Sequence, residues 1–239
     1  MSKIFFSKRI AEPAKMSREE ECAFNAFMKK NYKRNFTIAV DDILKKTKIQ
    51  SSTIVDFGCG AGFFLHAIGD RRRQAHLIGI DQSASMLRDA RLFLQTFQHV
   101  RLIRRDVTDT SLPSAFADLV VSKDSFHEFE KPIDTLREMF RIVKPGGWIF
   151  IQDLRRDMPM RLIRMSLLRQ TPFQKIQYAS AQASYTCDEM VQYVRRAGAR
   201  HFKIRIQKLT KEISTAHPEL DPVQVRNGFQ ARWTIWIQK

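Results

Sequence analysis

The sequence predicts an α/β fold: a doubly wound, mostly parallel sheet flanked by helices, with a helical segment before it and a helical insertion after the fifth strand. Three observations carry that prediction. From about Thr53, short apolar runs alternate with segments of helical period, which is the pattern of strands joined by crossover helices. A glycine-rich turn over residues 58–62 stands between the first of those runs and the first helix. The 239 residues, 44% hydrophobic and 10% aromatic, suffice for one core of this kind, and two full domains would each be small.

The first strand covers residues 54–57, and a short helix over 63–68 follows the glycine turn, with Gly69 placed to end it in a left-handed conformation. A second strand over 75–80 ends at Asp81, and Ser83 opens a helix whose Met86, Leu87, Ala90, Leu94 and Phe97 fall at helical spacing. Val100, Leu102 and Ile103 mark a third strand, and Leu119, Val120 and Val121 a fourth. Ile133, Leu136, Phe140 and Val143 form the apolar stripe of the next helix, which the Lys144-Pro145-Gly146-Gly147 turn closes before a fifth strand over 148–152.

The rhythm then breaks. Residues 155–184 contain an amphipathic helix over 158–168 and a polar, Gln-rich stretch without a strand, read as an insertion over the site. Thr186 and Glu189 have capping-box spacing and open a helix that Gly198 ends. Phe202, Ile204 and Ile206, then Trp233, Ile235 and Ile237, alternate with their neighbours as half-buried strands do. No helix is predicted between them, so they pair antiparallel. Ahead of the sheet, two helical stretches are predicted over 17–31 and 36–46, which gives a division into a helical segment or lid over 1–50 and the α/β domain over 51–239.

Composition narrows the function classes. No apolar run approaches the roughly 18 to 20 residues of a membrane-spanning helix, and the amino-terminal residues lack the apolar stretch of a signal peptide, so a soluble, cytoplasmic setting is expected. Cys22, Cys59 and Cys187 show no paired spacing, which suggests neither a disulfide framework nor a zinc site. The balance of 41 Lys plus Arg against 25 Asp plus Glu, a net charge of +16, would attract nucleic acid, acidic substrates or an anionic membrane surface. Its charges are scattered through the chain (Lys29-Lys30, Arg71-Arg72-Arg73, Arg104-Arg105, Arg195-Arg196), and a merely solvated basic surface is the better reading of them.

The motif with most chemistry in it is Val55-Asp56-Phe57-Gly58-Cys59-Gly60-Ala61-Gly62, directly after an apolar strand and before a helix. Glycines there let the backbone turn tightly and come close to a ligand. Asp81, at the end of strand two, is placed to accept both hydroxyls of a ribose. The spacing G-x-G-x-G, with Phe63 where a dinucleotide fingerprint needs its third glycine, makes a hydride-transfer enzyme the weaker choice.

Together with Gly79-Ile80-Asp81-Gln82-Ser83-Ala84-Ser85-Met86-Leu87, Asp106-Val107 and Leu136-Arg137-Glu138-Met139-Phe140-Arg141-Ile142-Val143-Lys144-Pro145-Gly146-Gly147, the loop resembles the class I S-adenosylmethionine-dependent methyltransferases. The closer likeness is to the small-molecule branch that includes quinone-biosynthesis enzymes, over about residues 50–155. The resemblance implies a Rossmann-like, seven-stranded sheet with an antiparallel last strand and S-adenosylmethionine as cofactor. It puts Gly58 and Gly60, with Cys59 between them, against the methionine part, Asp56 on its amino group and Asp81 on the ribose. Asp106 would accept the adenine amino group and Val107 would donate its N–H to the ring, with Gln82 and Met86 beside them. The backbone near Ser122 and Lys123 would face the methionyl end. Taken singly, Asp56 also reads as a helix-dipole anion, Asp81 as a helix cap and Asp106 as a turn residue.

Methyl transfer of this kind is an in-line displacement that needs alignment and no protein nucleophile. A general base serves a hydroxyl or acidic C–H acceptor, and His127, just past strand four, is the first candidate, with Asp124 second. Arg155 or Arg156, after strand five, could clamp an anionic acceptor, or form surface ion pairs with Asp153 and Asp157. The expected acceptor is a small molecule, an anionic one among the options. RNA is the alternative, although Ser122-Lys123-Asp124-Ser125 is unlike the Asn/Asp-Pro-Pro-aromatic motif of amino-group nucleic-acid enzymes. A non-catalytic nucleoside-binding protein is a third reading. Arsenite methylation would need more cysteines at the acceptor site than this chain offers.

Overall fold

In the computed structural model, which describes residues 6, 8–11, 17–48, 52–162, 171–208 and 210–239, the alternation after Thr53 becomes a seven-stranded sheet in the order β3-β2-β1-β4-β5-β7-β6. Its strands are β1 (Thr53–Phe57), β2 (His76–Asp81), β3 (Val100–Arg104), β4 (Ala117–Lys123), β5 (Val143–Leu154), β6 (Phe202–Arg205) and β7 (Arg232–Gln238). The first five pair in parallel, and β7 runs antiparallel to both β5 and β6. The chain thus reverses sides of the sheet at β1, and the carboxyl ends of β1 and β4 flank the crevice where open α/β sheets bind ligands.

The period-two alternation of the strands divides the core. Ile54, Leu77, Leu119, Val121 and Phe150 point to one face, against α1 (Arg18–Thr47), α2 (Phe63–Arg71) and α3 (Ala84–Phe93). Val55, Ile78, Val120, Ile149 and Ile151 point to the other, against Leu136 and Met139 of α4 (Pro132–Ile142) and Met190 and Val194 of α6 (Cys187–Arg196). Each such side chain, withdrawn from water, contributes roughly 1.5–3 kcal/mol of transfer free energy.

Five sequence expectations need correction or completion. The two amino-terminal helices are one, α1, capped by a Ser17–Glu20 capping box. No proline or glycine interrupts residues 31–36, and continuing the helix buries Tyr32 against Phe63, His66 and Phe93. Gly69 lies inside α2 rather than ending it; a Cβ there would stand 2.6 Å from the ring of Phe97, so close packing keeps it small. The Gln-rich stretch holds a helix, α5 (Pro172–Ala183), opened by a Thr171–Gln174 capping box. Two further helices, α7 (Lys211–Ala216) and α8 (Pro222–Gln230), separate β6 from β7 although the pairing is antiparallel as expected. The fifth strand also begins earlier than read, at Val143. Of the helix expected over 158–168, residues 160–162 are helical and 163–170 lie outside the described residues.

Helix α1 lies across one face of the sheet. Its first half meets α3, where Ser85 Oγ donates to Glu21 (2.8 Å) and Asn25 Nδ2 to Asp89 (2.7 Å), and it meets α5 through Phe27 and Phe173, whose rings stack at 3.9 Å. Near its end, Lys46 Nζ lies 4.7 Å from the Trp148 ring and 5.4 Å from that of Trp236. On the same β5–β7 pair Trp233 is fully buried, and its indole N–H donates to Tyr185 O at 3.0 Å. Among the described residues no helix is long and apolar enough to cross a membrane.

Candidate active site

The glycine turn leaves β1 with the N–H groups of Gly58 and Cys59 both donating to Ile80 O, at 2.9 and 3.0 Å. Gly58 adopts φ 72°, and a Cβ on it would come 2.8 Å from Ser125 Cβ; conformation and space both require glycine. Gly60 also has a positive φ, but a Cβ there would meet nothing within 4 Å, so this part of the turn faces open space. Its N–H donates to Asp81 Oδ2 (2.8 Å), while Asp81 Oδ1 accepts from Ser83 N (2.8 Å). Ser83 in turn caps α3 through Met86 N. Asp81 therefore fixes the turn and the helix start at once.

Asp56 sits one strand over, 2% exposed, opposite Gly79 and Val121 in register. Burial, with the neighbouring charge of Asp81, pushes its carboxyl well above the usual carboxylate range, and burial also raises Asp81 against the backbone N–H groups that lower it. A buried and a half-buried carboxylate that converge favour a cationic partner. Cys59 is buried with its sulfur packed on Gly79, where a Cβ would come within 2.7 Å, and burial raises its thiol. Only its backbone is placed for a ligand. Further along, Gln82 Nε2 donates to Asp106 Oδ2 (3.0 Å), and Asp106 Oδ1 accepts from the N–H and hydroxyl of Thr108, which lowers its pKa. Val107 and Met86 are buried beside them.

The end of β4 supplies the other half. Ser125 Oγ donates to Phe57 O (3.0 Å) and is 3.0 Å from Ser122 Oγ, tying this loop under the glycine turn. The Lys123 side chain is buried and ion-paired with Asp124; burial pulls its ammonium down to about 8. Asp124 adopts φ 54°, and Arg232 grips it through Nε (2.6 Å) and Nη2 (3.3 Å). Burial opposes its ionisation, but Arg232 and Lys123 outweigh that and hold it far below the usual range. Asp124 is thus a counter-ion and not the second base expected of it. His127, 3% exposed, has its backbone N–H on Asp153 Oδ2 and its Nδ1 facing Asp153 Oδ1, both at 2.8 Å.

The arginines expected to clamp an acceptor are engaged elsewhere. Arg155 pairs with Asp157 (2.8 Å), and Arg156 is buried against Glu189 (2.6 Å) and Ser184 O. This is the ion-pair alternative, with Glu189 in place of Asp153, which His127 takes. Arg232, Glu189 and Ser125 were not expected in the site. Ser125 could have been found from its place directly under the glycine turn, and Glu189 from its capping box with Thr186, whereas nothing local marks Arg232. Exposed basic residues lie on both edges of the sheet, Arg101 and Arg104 on β3 and Lys203 and Arg205 on β6, a spread unlike one continuous groove. A cavity of about 390 Å³ beside His76, His99 and Arg101 opens at the amino ends of the strands, away from these groups.

Residues 55–151 match the family described as "Methyltransferase domain". The trans-aconitate 2-methyltransferase of Azoarcus sp. (strain BH72) is 33% identical over 138 residues, 57% of this chain and 51% of that one. The ubiquinone biosynthesis O-methyltransferase of Leptothrix cholodnii is 26% identical over 113 residues, 46% of this chain and 47% of that one. The chain thus spans about half the length of the curated relatives it matches. Among solved structures, the plantazolicin methyltransferase BpumL in complex with SAH and a desmethylPZN analog superposes with a TM-score of 0.69 at 21% identity, covering 93% of this chain and 89% of that one. An S-adenosyl-L-methionine-dependent methyltransferase of Methanococcus maripaludis does so with 0.69 at 18%, covering 96% and 97%. At these identities the likeness is one of fold.

Proposed function

We infer that this chain, a class I methyltransferase in fold with a methyltransferase-family domain over residues 55–151, transfers a methyl group from S-adenosylmethionine to a small-molecule acceptor by in-line displacement. The observation that carries the inference is the convergence of Asp56 and Asp81 on the glycine turn, one buried and one half-buried carboxylate whose ionisation burial resists. A ligand bearing an ammonium and a sulfonium fits that pair, because it supplies the missing positive charge. Asp56 would hold the amino group, the turn backbone at Gly58 and Gly60 would lie along the methionine part, and Asp81 would accept the ribose hydroxyls. Asp106 and the Val107 N–H would read the adenine, flanked by Gln82 and Met86, and the backbone of Ser122 and Lys123 would face the methionyl end.

When bound, the sulfonium supplies an activated methyl and departs as a neutral thioether. The protein's part is alignment and proton handling. Asp153 receives the Nδ1–H of His127, so Nε2 carries the lone pair and is the atom to take a proton from an acceptor hydroxyl or acidic C–H. Ser125 holds the His127 loop to the turn. The small-molecule acceptor is supported by relatives named for trans-aconitate and ubiquinone biosynthesis, and a cytoplasmic setting belongs to the same proposal.

Titration calorimetry with S-adenosylhomocysteine tests the reading: micromolar or tighter binding that Asp81→Asn weakens at least tenfold is expected, and no heat of binding to well-folded wild-type protein would overturn it. The net charge of +16 favours RNA as the second reading; binding of RNA that weakens steeply between low and moderate salt would support it.

A further inference from the structure

His127 sits in a single 3-10 turn, Phe126–Glu128, whose preceding residue Ser125 offers no side-chain cap. A turn this short does not fix its own orientation, so the direction of the imidazole depends on what grips the peptide from outside. Asp153 grips one side, through the His127 N–H and Nδ1. The other side is gripped from the far amino terminus: Arg9 Nη2 donates to His127 O at 2.7 Å, while its Nε donates to Ala183 O at the end of α5 at 2.6 Å. The guanidinium also lies over the Tyr185 ring, 4.5 Å from its centroid. Tyr185 itself donates its hydroxyl to Phe129 O (2.9 Å), two residues beyond His127.

The chain around Arg9 is anchored independently. Phe6 is buried among Met158, Leu162, Ala181 and Ala231, its carbonyl accepts from Arg156 Nε (3.3 Å), and Ile10 N donates to Gln182 O (3.3 Å). Arg9 is thus presented by a segment that stays in place without it.

We propose that Arg9 is a positioning residue for His127, fixing the imidazole for proton transfer by clamping the His127 carbonyl to the end of α5. The proposal rests on the reading of His127 as the proton acceptor. Guanidinium-to-carbonyl bonds are charge-assisted and the planar fork reaches two acceptors at once, which a lysine at the same place cannot do. A displacement of about 1 Å at a catalytic group costs about 100-fold in rate, so the clamp matters to chemistry without touching substrate.

The test compares Arg9→Met and Arg9→Lys with wild type by nitrogen-15 NMR of the histidines and by amide hydrogen exchange. Wild type is expected to show His127 as one tautomer, with Nδ1–H held by Asp153 and a protected backbone N–H. Arg9→Met is expected to exchange the His127 amide at least tenfold faster and to lose the single tautomer, with Arg9→Lys rescuing part of both. S-adenosylhomocysteine affinity should stay within twofold in both variants, since Arg9 touches nothing in the cofactor half. Unchanged His127 signals in Arg9→Met overturn the proposal, and so does faster exchange confined to residues 8–11 and α5. Should Arg9→Met fail to fold, Arg9→Lys decides alone: wild-type His127 signals overturn the proposal and reduced protection supports it. Failure of wild type to bind S-adenosylhomocysteine would sink the methyltransferase reading, while the NMR result would still report on the clamp.

Discussion

On the β1–β2 side of the carboxyl edge, Asp56 and Asp81 are carboxylates whose ionisation burial resists; on the β4–β5 side, Lys123, Asp124, Arg156 and Arg232 are charges that partner one another or Glu189. The first half gains from an arriving cation. In the second, three cations, Lys123, Arg156 and Arg232, face two carboxylates, Asp124 and Glu189, so its charges are largely paired with a slight positive excess, which an anionic acceptor would suit. A half that gains from an arriving cation beside a half whose charges are mostly paired suits a reaction in which the sulfonium brings the charge and gives it up.

The largest expected effect tests the acceptor half. Arg232→Met leaves Asp124 half-paired at a left-handed position and should lower unfolding stability by about 3 kcal/mol in urea titrations. A loss below about 1 kcal/mol would place the cluster with ordinary surface ion pairs and erase the contrast. Next, Asp81→Asn removes a charged acceptor from the cofactor half and should weaken S-adenosylhomocysteine binding by about 2 kcal/mol or more, roughly 30-fold, read by calorimetry.

A third prediction uses the raised pKa of Asp56. The folded, unliganded chain holds that proton to higher pH than the unfolded chain does, so stability falls as pH climbs from the ordinary carboxylate range through the folded value. Asp56→Asn should abolish that fall and leave the unliganded thermal midpoint at pH 8 equal to or above that of wild type. In wild type the affinity for S-adenosylmethionine should rise with pH, by up to about tenfold per unit while Asp56 is still protonated, and the variant should show weak, flat binding. The smallest effect concerns Lys123, whose ammonium burial pulls down to about 8. Between there and the ordinary lysine value the unfolded chain binds the extra proton, so stability rises with pH, on the order of 1 kcal/mol per pH unit; Lys123→Met should flatten that rise in denaturation curves taken across the window.

The cluster proposed for the cofactor was legible as a cluster because its parts are contiguous: Asp56, Gly58 and Gly60 stand in one run, and Asp81 follows at the end of the adjacent strand. Strand alternation, the Thr186–Glu189 capping box and the antiparallel final pair were legible for the same local reason. The acceptor half was not. Its ion pairs join Asp124 to Arg232 and Arg156 to Glu189, and its histidine is clamped by Arg9, all partners chosen by the tertiary fold with no spacing rule. Helix α5 was missed although Thr171 and Gln174 have capping-box spacing with Pro172 at the first helical position, because Gln and Ala gave its stripe too little apolar contrast. Helix α1 was split at a polar stretch that carries no breaker and buries Tyr32.

The three tryptophans all lie on the β5–β7 pair, Trp148 and Trp236 under the Lys46 ammonium and Trp233 beneath Tyr185 O. Intrinsic emission therefore reports from two places: Trp148 and Trp236 from the end of α1, and Trp233, whose ring lies 6.3 Å from that of Phe126, from beneath the His127 loop. An optical melt will follow the loss of that antiparallel pair, and a ligand settling on the glycine turn will reach the spectrum through Trp233 if it moves that loop. Replacing Trp148 and Trp236 by Phe would leave Trp233 as the one emitter, beside the loop that carries His127.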